Sequence, residues 1–322
     1  MDDLLNLISE LIESEEEGMG AEGWMIERVA LSANGLIYRA ASSSETLGIK
    51  ISRRDDRDRA GREYATMTAL RAAGETISAR PVQLVRNHPT LPGDALIYEW
   101  IPGEALTQAP SADEADLWEA ILYALSITER FSPGDTSHLI RPAVMNVFDA
   151  SDLLRVTRER FKSIFSQPEG IPLDDIEDML TRVERAAPLQ WGQPAPPHLI
   201  HCDSNPENMI LHKGVVYLID WENAGWADAA FDIGDLCAHP AYLDLPEDHL
   251  KWIKESMGAA LKDSTYLQRA TVYQRMMWAW WTVRLAADLA SPSPRLMGVK
   301  RYDKAYTLAL QARYWELLQQ TF

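Results

Sequence analysis

Within eight residues, His201-Cys202-Asp203-Ser204-Asn205-Pro206-Glu207-Asn208, the chain gathers a histidine, two carboxylates and two carboxamides; an apolar stretch then delivers a further carboxylate, Asp220. Phosphoryl transfer is chemistry this set could perform. It requires a carboxylate near the attacking hydroxyl and oxygen ligands that hold Mg²⁺ against nucleotide phosphates. Asp203 would orient the hydroxyl and take its proton, Asn208 and Asp220 would hold the metal, and His201 would brace the loop through backbone hydrogen bonds. A lone H-x-D is common by chance. Specificity comes from Asn208 five positions after Asp203, a hairpin of the right length, and a strand that ends at Asp220.

These groups need elements to position them. Met209 to Leu211 and Val215 to Ile219 form a hairpin about Lys213-Gly214. Upstream, Lys50 sits in the apolar strand Leu47-Gly48-Ile49-Lys50-Ile51, where flanking isoleucines argue against a simple surface lysine. Thirteen positions later, Glu63 lies beside the apolar stripe of a helix, as required of an acid that orients a phosphate-gripping lysine. The turn Ser32-Ala33-Asn34-Gly35 could offer backbone N–H groups to phosphates, so Ser32, Asn34 and Gly35 are candidate nucleotide contacts; a plain hairpin turn explains them as well. The strand Leu96 to Ile101, with Tyr98 and Trp100, is expected to pass a nucleotide base through its backbone groups.

The wider pattern gives the frame. Residues 2–16 read as an amphipathic helix, Trp24 to Tyr38 and Thr46 to Ser52 as two or three antiparallel strands, and 55–73 as a helix closed by Gly74. Two more strands, Val82 to Arg86 and Ala95 to Ile101, end at the turn Pro102-Gly103. Helical periods then dominate: one helix from the capping box of Ser111 and Glu114 to about Phe131, others over 151–165 and 174–186, and everything beyond Pro246. The expected fold class is α+β and bilobal, with a small antiparallel β lobe over 1–103 and a larger, mainly helical lobe over 104–322.

The segment HCDSNPENMILHKGVVYLIDWENAGWADAAFDIGDL resembles the catalytic and metal-binding region of the aminoglycoside phosphotransferase and choline kinase family, small-molecule kinases with a protein-kinase-like fold. The resemblance implies Asp203 as catalytic base, Asn208 and Asp220 as metal ligands, Asp232 as a structural acid, and Lys50 with Glu63 as the phosphate-gripping ion pair. Cys202 stands where the family usually has glycine. It further implies Mg²⁺, ATP or GTP as phosphate donor, and a hydroxylated small molecule as acceptor, whether an aminoglycoside-type antibiotic or a metabolite such as choline, homoserine or a sugar. Only eleven residues separate Asp220 from Asp232, too few for the activation segment that docks protein substrates.

Composition bounds the remaining readings. The 322 residues are 46% hydrophobic and 25% charged, which fits a packed globular chain. Lys plus Arg number 31 against 48 Asp plus Glu, a net charge of −17, which disfavours nucleic-acid partners. Much of that excess lies in residues 1–22. No basic leader and no apolar run long enough for a membrane span is present, so a cytoplasmic location without membrane attachment is expected; oligomeric state stays open. Cys202 and Cys237 have no metal-ligand spacing. A catalytically silent nucleotide-binding scaffold would be expected to lack at least one of Lys50, Glu63, Asp203, Asn208 and Asp220. A Cys202 nucleophile beside His201 is geometrically poor, because adjacent strand residues face opposite ways. Met276 to Trp281 read as core or as pocket lining, and Glu207, Glu222 and Asp235 as solvated loop acids or as an attraction for a cationic substrate.

Overall fold

A computed structural model describes residues 1–32, 35–134, 139–188, 195–291 and 303–322. The chain opens with helix α1 (Asp2–Ser14) and strands β1 (Gly18–Ala21), β2 (Trp24–Ser32), β3 (Gly35–Ala41) and β4 (Thr46–Arg53). Helix α2 (Arg59–Ala72) follows, then β5 (Pro81–Val85) and β6 (Gly93–Glu99). The six strands form one sheet, β1-β2-β3-β4-β6-β5, antiparallel throughout. Strand β1 is an addition to the sequence expectation; Met19 and Ala21 do alternate toward the core, but four residues of which two are glycine are too short and too weakly strand-forming to be read as a strand.

Alternation along β4 assigns its two faces. Leu47, Ile49 and Ile51 pack with Leu4, Leu5, Ile8 and Leu11 of α1, so the amphipathic helix caps one side of the sheet. Leu5 is fully buried, and truncating it to alanine would cost about 2–5 kcal/mol. Gly48, Lys50 and Ser52 point the other way, toward α2. Met67 and Leu70 of α2 pack with Leu96, the cross-strand partner of Lys50. The helix begins at Arg59 rather than near residue 55 because Asp58 adopts a left-handed conformation, φ 51°.

A short strand β7 (Glu104–Ala105) leads to helices α3 (Ala115–Glu129), α4 (Ala150–Lys162) and α5 (Leu173–Ala186). The Glu114 carboxylate accepts the Ser111 N–H at 2.7 Å, but a backbone turn from Glu114 N–H to Ser111 O intervenes and α3 starts one turn late. Next come β8 (His198–Ile200), β9 (Met209–His212), β10 (Val215–Leu218) and β11 (Gly225–Ala227). Strands β9 and β10 pair around Lys213 and Gly214, whose φ values of 51° and 78° suit a two-residue hairpin turn. Strand β7 adds to β9, and β11 pairs with β8, which folds the chain after Asp220 back beside the segment carrying Asp203.

Helices α6 (Ala229–Ala238), α7 (Glu247–Leu261), α8 (Tyr266–Ala290) and α9 (Lys304–Thr321) complete the helical part. Helix α8 runs through its centre, burying Tyr266, Tyr273, Met276, Met277 and Val283, while Trp278, Trp280 and Trp281 are partly buried on its flanks. No helix among the described residues is long and apolar enough to cross a membrane.

Candidate active site

The loop after β8 is held from below. Asp232, buried on α6, accepts the N–H groups of His201 and Cys202, both at 2.8 Å. These two bonds fix Cys202 at φ 60°, a left-handed conformation that accounts for the glycine expected there. The His201 ring braces the loop from the side, its Nδ1 lying 2.9 Å from the carbonyl of Asp203 and its Nε2 2.8 Å from that of Ile219. The ring thereby links the Asp203 loop to the end of the hairpin. Burial, reinforced by the charge of Asp220, raises the Asp203 carboxyl to about 6.

Asp220 follows β10 at φ 65°, turning out of the strand toward the sheet of the small lobe. Lys50 meets it there. The Lys50 ammonium lies 2.7 Å from Glu63, 2.6 Å from Asp220 and 3.5 Å from Glu222, and both Lys50 and Glu63 are buried. Burial alone would favour the neutral amine, but Asp220, Glu63 and Glu222 outweigh it and hold Lys50 well above the usual lysine range. Burial likewise opposes charge on Asp220, whose carboxyl the Lys50 ammonium nevertheless holds below its ordinary value. Glu63 is pushed up by burial despite Lys50, and its second oxygen accepts the Trp221 N–H at 3.3 Å.

Glu222 is not a solvated loop acid. It is 2% exposed and ion-paired with Arg59 of α2, which also bonds Asp55 at 2.9 Å. Arg62, one turn on, donates to the carbonyls of Pro142 and Ala224 at 2.6 and 2.9 Å, and Arg141 reaches back to Asp58 at 3.1 Å. Arg57 donates to the Asn223 side chain, and Asn223 in turn donates to Asp203 at 3.2 Å. None of Arg57, Arg59, Arg62 or Asn223 was singled out by sequence reasoning, because nothing local in the sequence distinguishes them from solvated polar residues. Arg59 was findable: it stands four positions before Glu63, on the same helix face.

Asp220 and Asn208 are the residues that could hold a divalent cation. Asn208 donates through Nδ2 to the Asp203 carbonyl at 3.5 Å, leaving Oδ1 without a donor among the described residues. Asp220 and Asn208 thus offer oxygen ligands of the type Mg²⁺ prefers, and few protein ligands suffice where phosphates and waters complete the octahedron. No cluster of three or more His, Cys, Asp or Glu residues suited to a metal occurs among the described residues.

The remaining candidates separate. Tyr98 lies opposite Gly48 in the register, on the Lys50 face, and its ring occupies the space a side chain at Gly48 would need. Burial, with Glu63 second, pushes its hydroxyl up. The Trp100 N–H is already bonded to Thr46 O at 3.0 Å and the Glu99 N–H to Arg80 O at 2.9 Å. A base lying along this strand would therefore have to use other backbone groups than these two donors. Gly35 pairs with Ser32 and Ser52 at the end of the β2–β3 hairpin, where an added Cβ would stand 2.1 Å from the Ile51 carbonyl oxygen. Asn34 lies outside the described residues, as does the side chain of Ser32.

The sequence model of the phosphotransferase enzyme family matches residues 28–263. Among solved structures, a choline/ethanolamine kinase family protein from Mesorhizobium loti is 20% identical, with a TM-score of 0.60 over 91% of this chain and 88% of that one. The choline kinase of Streptococcus pneumoniae is 13% identical, with a TM-score of 0.60 over 99% of both chains. A spectinomycin phosphotransferase, solved with ADP and spectinomycin, is 14% identical, with a TM-score of 0.58 over 97% of this chain and 94% of that one. These likenesses are of fold.

Proposed function

Since the chain belongs to the phosphotransferase enzyme family, we propose that it transfers the γ-phosphoryl group of ATP, taken up with Mg²⁺, to a hydroxyl of a small molecule. The observation that carries the reading is the Lys50 ammonium held between Glu63 at 2.7 Å and Asp220 at 2.6 Å. A buried lysine oriented by one acid and set beside a second is the arrangement needed to grip nucleotide phosphates next to their metal.

In this mechanism Lys50, aligned by Glu63, holds the α- and β-phosphates. Asp220 and Asn208 would hold Mg²⁺, which when bound neutralises charge on the transferring phosphoryl group. Asp203 receives the acceptor hydroxyl, orients its oxygen in line with the γ-phosphorus and takes its proton at a carboxylate oxygen late in a loose transition state. Its pKa near 6 suits a base that must be ionised at neutral pH yet bind a proton as transfer completes. Adenine nucleotide is preferred over GTP in this reading because ADP occupies the spectinomycin phosphotransferase of similar fold. We assign residues 1–103 to nucleotide binding and 104–322 to catalysis and acceptor binding, in a cytoplasmic protein.

A cationic acceptor is favoured by Asp235. This partly exposed α6 carboxylate has no hydrogen-bond partner among the described residues, and burial together with Asp232 and Asp203 drives its pKa well up. A positive group on the acceptor would relieve that repulsion. A screen of magnesium-ATP consumption over hydroxylated antibiotics, amino alcohols and sugars tests the whole reading. Turnover with at least one acceptor, abolished by Asp203→Asn, is expected; no turnover with any acceptor would overturn it.

A further inference from the structure

The Asp203 carboxylate has two donors among the described residues. The Asn205 N–H lies 3.4 Å from Oδ1, near the limit for a hydrogen bond, and the Asn223 Nδ2 lies 3.2 Å from Oδ2. Asn223 is therefore the principal group directing this carboxylate. Its own geometry is fixed on both sides. Its backbone carbonyl accepts the Val144 N–H at 3.0 Å, and it closes the short 3₁₀ turn Trp221–Asn223 that follows Asp220.

The guanidinium of Arg57 decides which way the amide faces. Arginine only donates, so the Asn223 atom it meets is the oxygen, and the NH₂ group is left to point at Asp203. Arg57 is itself held by its backbone N–H on Asp55 Oδ1 at 3.0 Å. We propose that Asn223 is a positioning residue for Asp203: it sets the plane of the carboxylate that receives the acceptor proton, with Arg57 as the backstop that fixes the amide. The inference rests on Asp203 being the proton acceptor, but its geometric core stands apart from turnover.

Two variants distinguish positioning from mere tethering of Arg57. Asn223→Ala removes both contacts. Asn223→Asp keeps the shape and gives Arg57 a stronger acceptor, yet sets a second carboxylate against Asp203 with no donor between them. If Asn223 only anchored Arg57, the Asp203 carboxylate would keep its orientation in Asn223→Asp. Under the proposal both variants lose about 10- to 100-fold in kcat for magnesium ATP with water as acceptor, and Asn223→Asp loses at least as much as Asn223→Ala. The dissociation constant for magnesium ATP and the melting temperature stay near wild type. Should Asn223→Ala fold poorly, Asn223→Asp carries the kinetic test.

Crystal structures of the wild type and of either folded variant provide the second arm. Asp203 Oδ2 should lie within hydrogen-bond distance of Asn223 Nδ2 in the wild type, and the carboxylate should rotate in the variant. Wild-type kcat in Asn223→Asp, or an Asp203 carboxylate that keeps its orientation without Asn223, would overturn the proposal. A wild-type protein that turns over no ATP with water or any acceptor would instead overturn the phosphotransfer reading, while the crystallographic arm still decides the position of Asp203.

Discussion

Lys50 and Asp220 stand 170 positions apart in the chain and 2.6 Å apart in space. Their contact joins the sheet of the small lobe to the hairpin of the large one, and it does so with opposite charges, the lysine buried and the aspartate partly exposed. Around that single ammonium lie three carboxylates, Glu63, Asp220 and Glu222, of which Glu222 has Arg59 as a second partner.

Removing Lys50 should therefore destabilise the fold as well as silence it. Lys50→Ala strips Glu63 and Asp220 of their counter-charge, and breaking a buried pair from one side costs about 3–5 kcal/mol. In the double variant Lys50→Ala, Glu63→Ala one of those stranded charges is gone too. Its loss of stability in urea should fall clearly short of the sum of the single losses, and its loss of turnover short of their product. Additive losses would mean that the two side chains act separately.

Asp220→Ala should uncouple nucleotide binding from magnesium. Calorimetric titration of ATP into the wild type is expected to show tighter binding with Mg²⁺ than with a chelator, and the variant the same affinity under both conditions. An unchanged magnesium preference in the variant would reassign the metal ligand.

For Asp203 the pH dependence has a definite sign. With its carboxyl near 6, the base is ionised above that pH and protonated below it, so kcat/KM should fall as pH drops through about 6. Asp203→Asn should lower kcat by about 10²- to 10⁴-fold. Stability runs the opposite way. The folded pKa lies above the unfolded value of 3.8, so this group's contribution is full below 3.8 and is lost as pH rises through 6. At pH 7 the asparagine variant should melt no lower than the wild type. Thermal melts at pH 4 and pH 7 check this.

Cys202→Gly is expected to be tolerated. Glycine relieves the left-handed strain at φ 60° but adds unfolded-chain entropy, two terms of about 1 kcal/mol each and opposite sign. Retained turnover and a stability change within about 1 kcal/mol would also leave no role for the thiol.

Local pattern carried much of this site into view. The positions of Asp203, Asn208 and Asp220 were legible because a hairpin with turn residues Lys213-Gly214 has few ways to fold, and Lys50 because isoleucines bracket it. Strands β1 and β11 were not legible: Gly-Met-Gly-Ala and Gly-Trp-Ala are too short and glycine-rich to signal a strand on their own, and each is defined by its partner strand. Arg57 and Asn223 were missed, and Glu222 was read as a solvated acid or an attraction for a cationic substrate, for a related reason. A polar or charged residue in a polar loop looks solvated until tertiary structure brings its counterpart from some 160 residues away. The engagement of the Trp100 N–H by Thr46 is a backbone event that side-chain identity cannot report.

Helix α2 has the consequence that reaches furthest from the cleft. Although the chain assigns it to the small lobe, its bonds from Arg59 to Glu222, from Arg62 to Pro142 and Ala224, and from Glu63 to Trp221 tie it to segments far along the sequence. The two halves therefore share one melting unit. Neither can lose its order without releasing buried charges in the other, and calorimetry should record a single cooperative transition where a loosely hinged pair would give two.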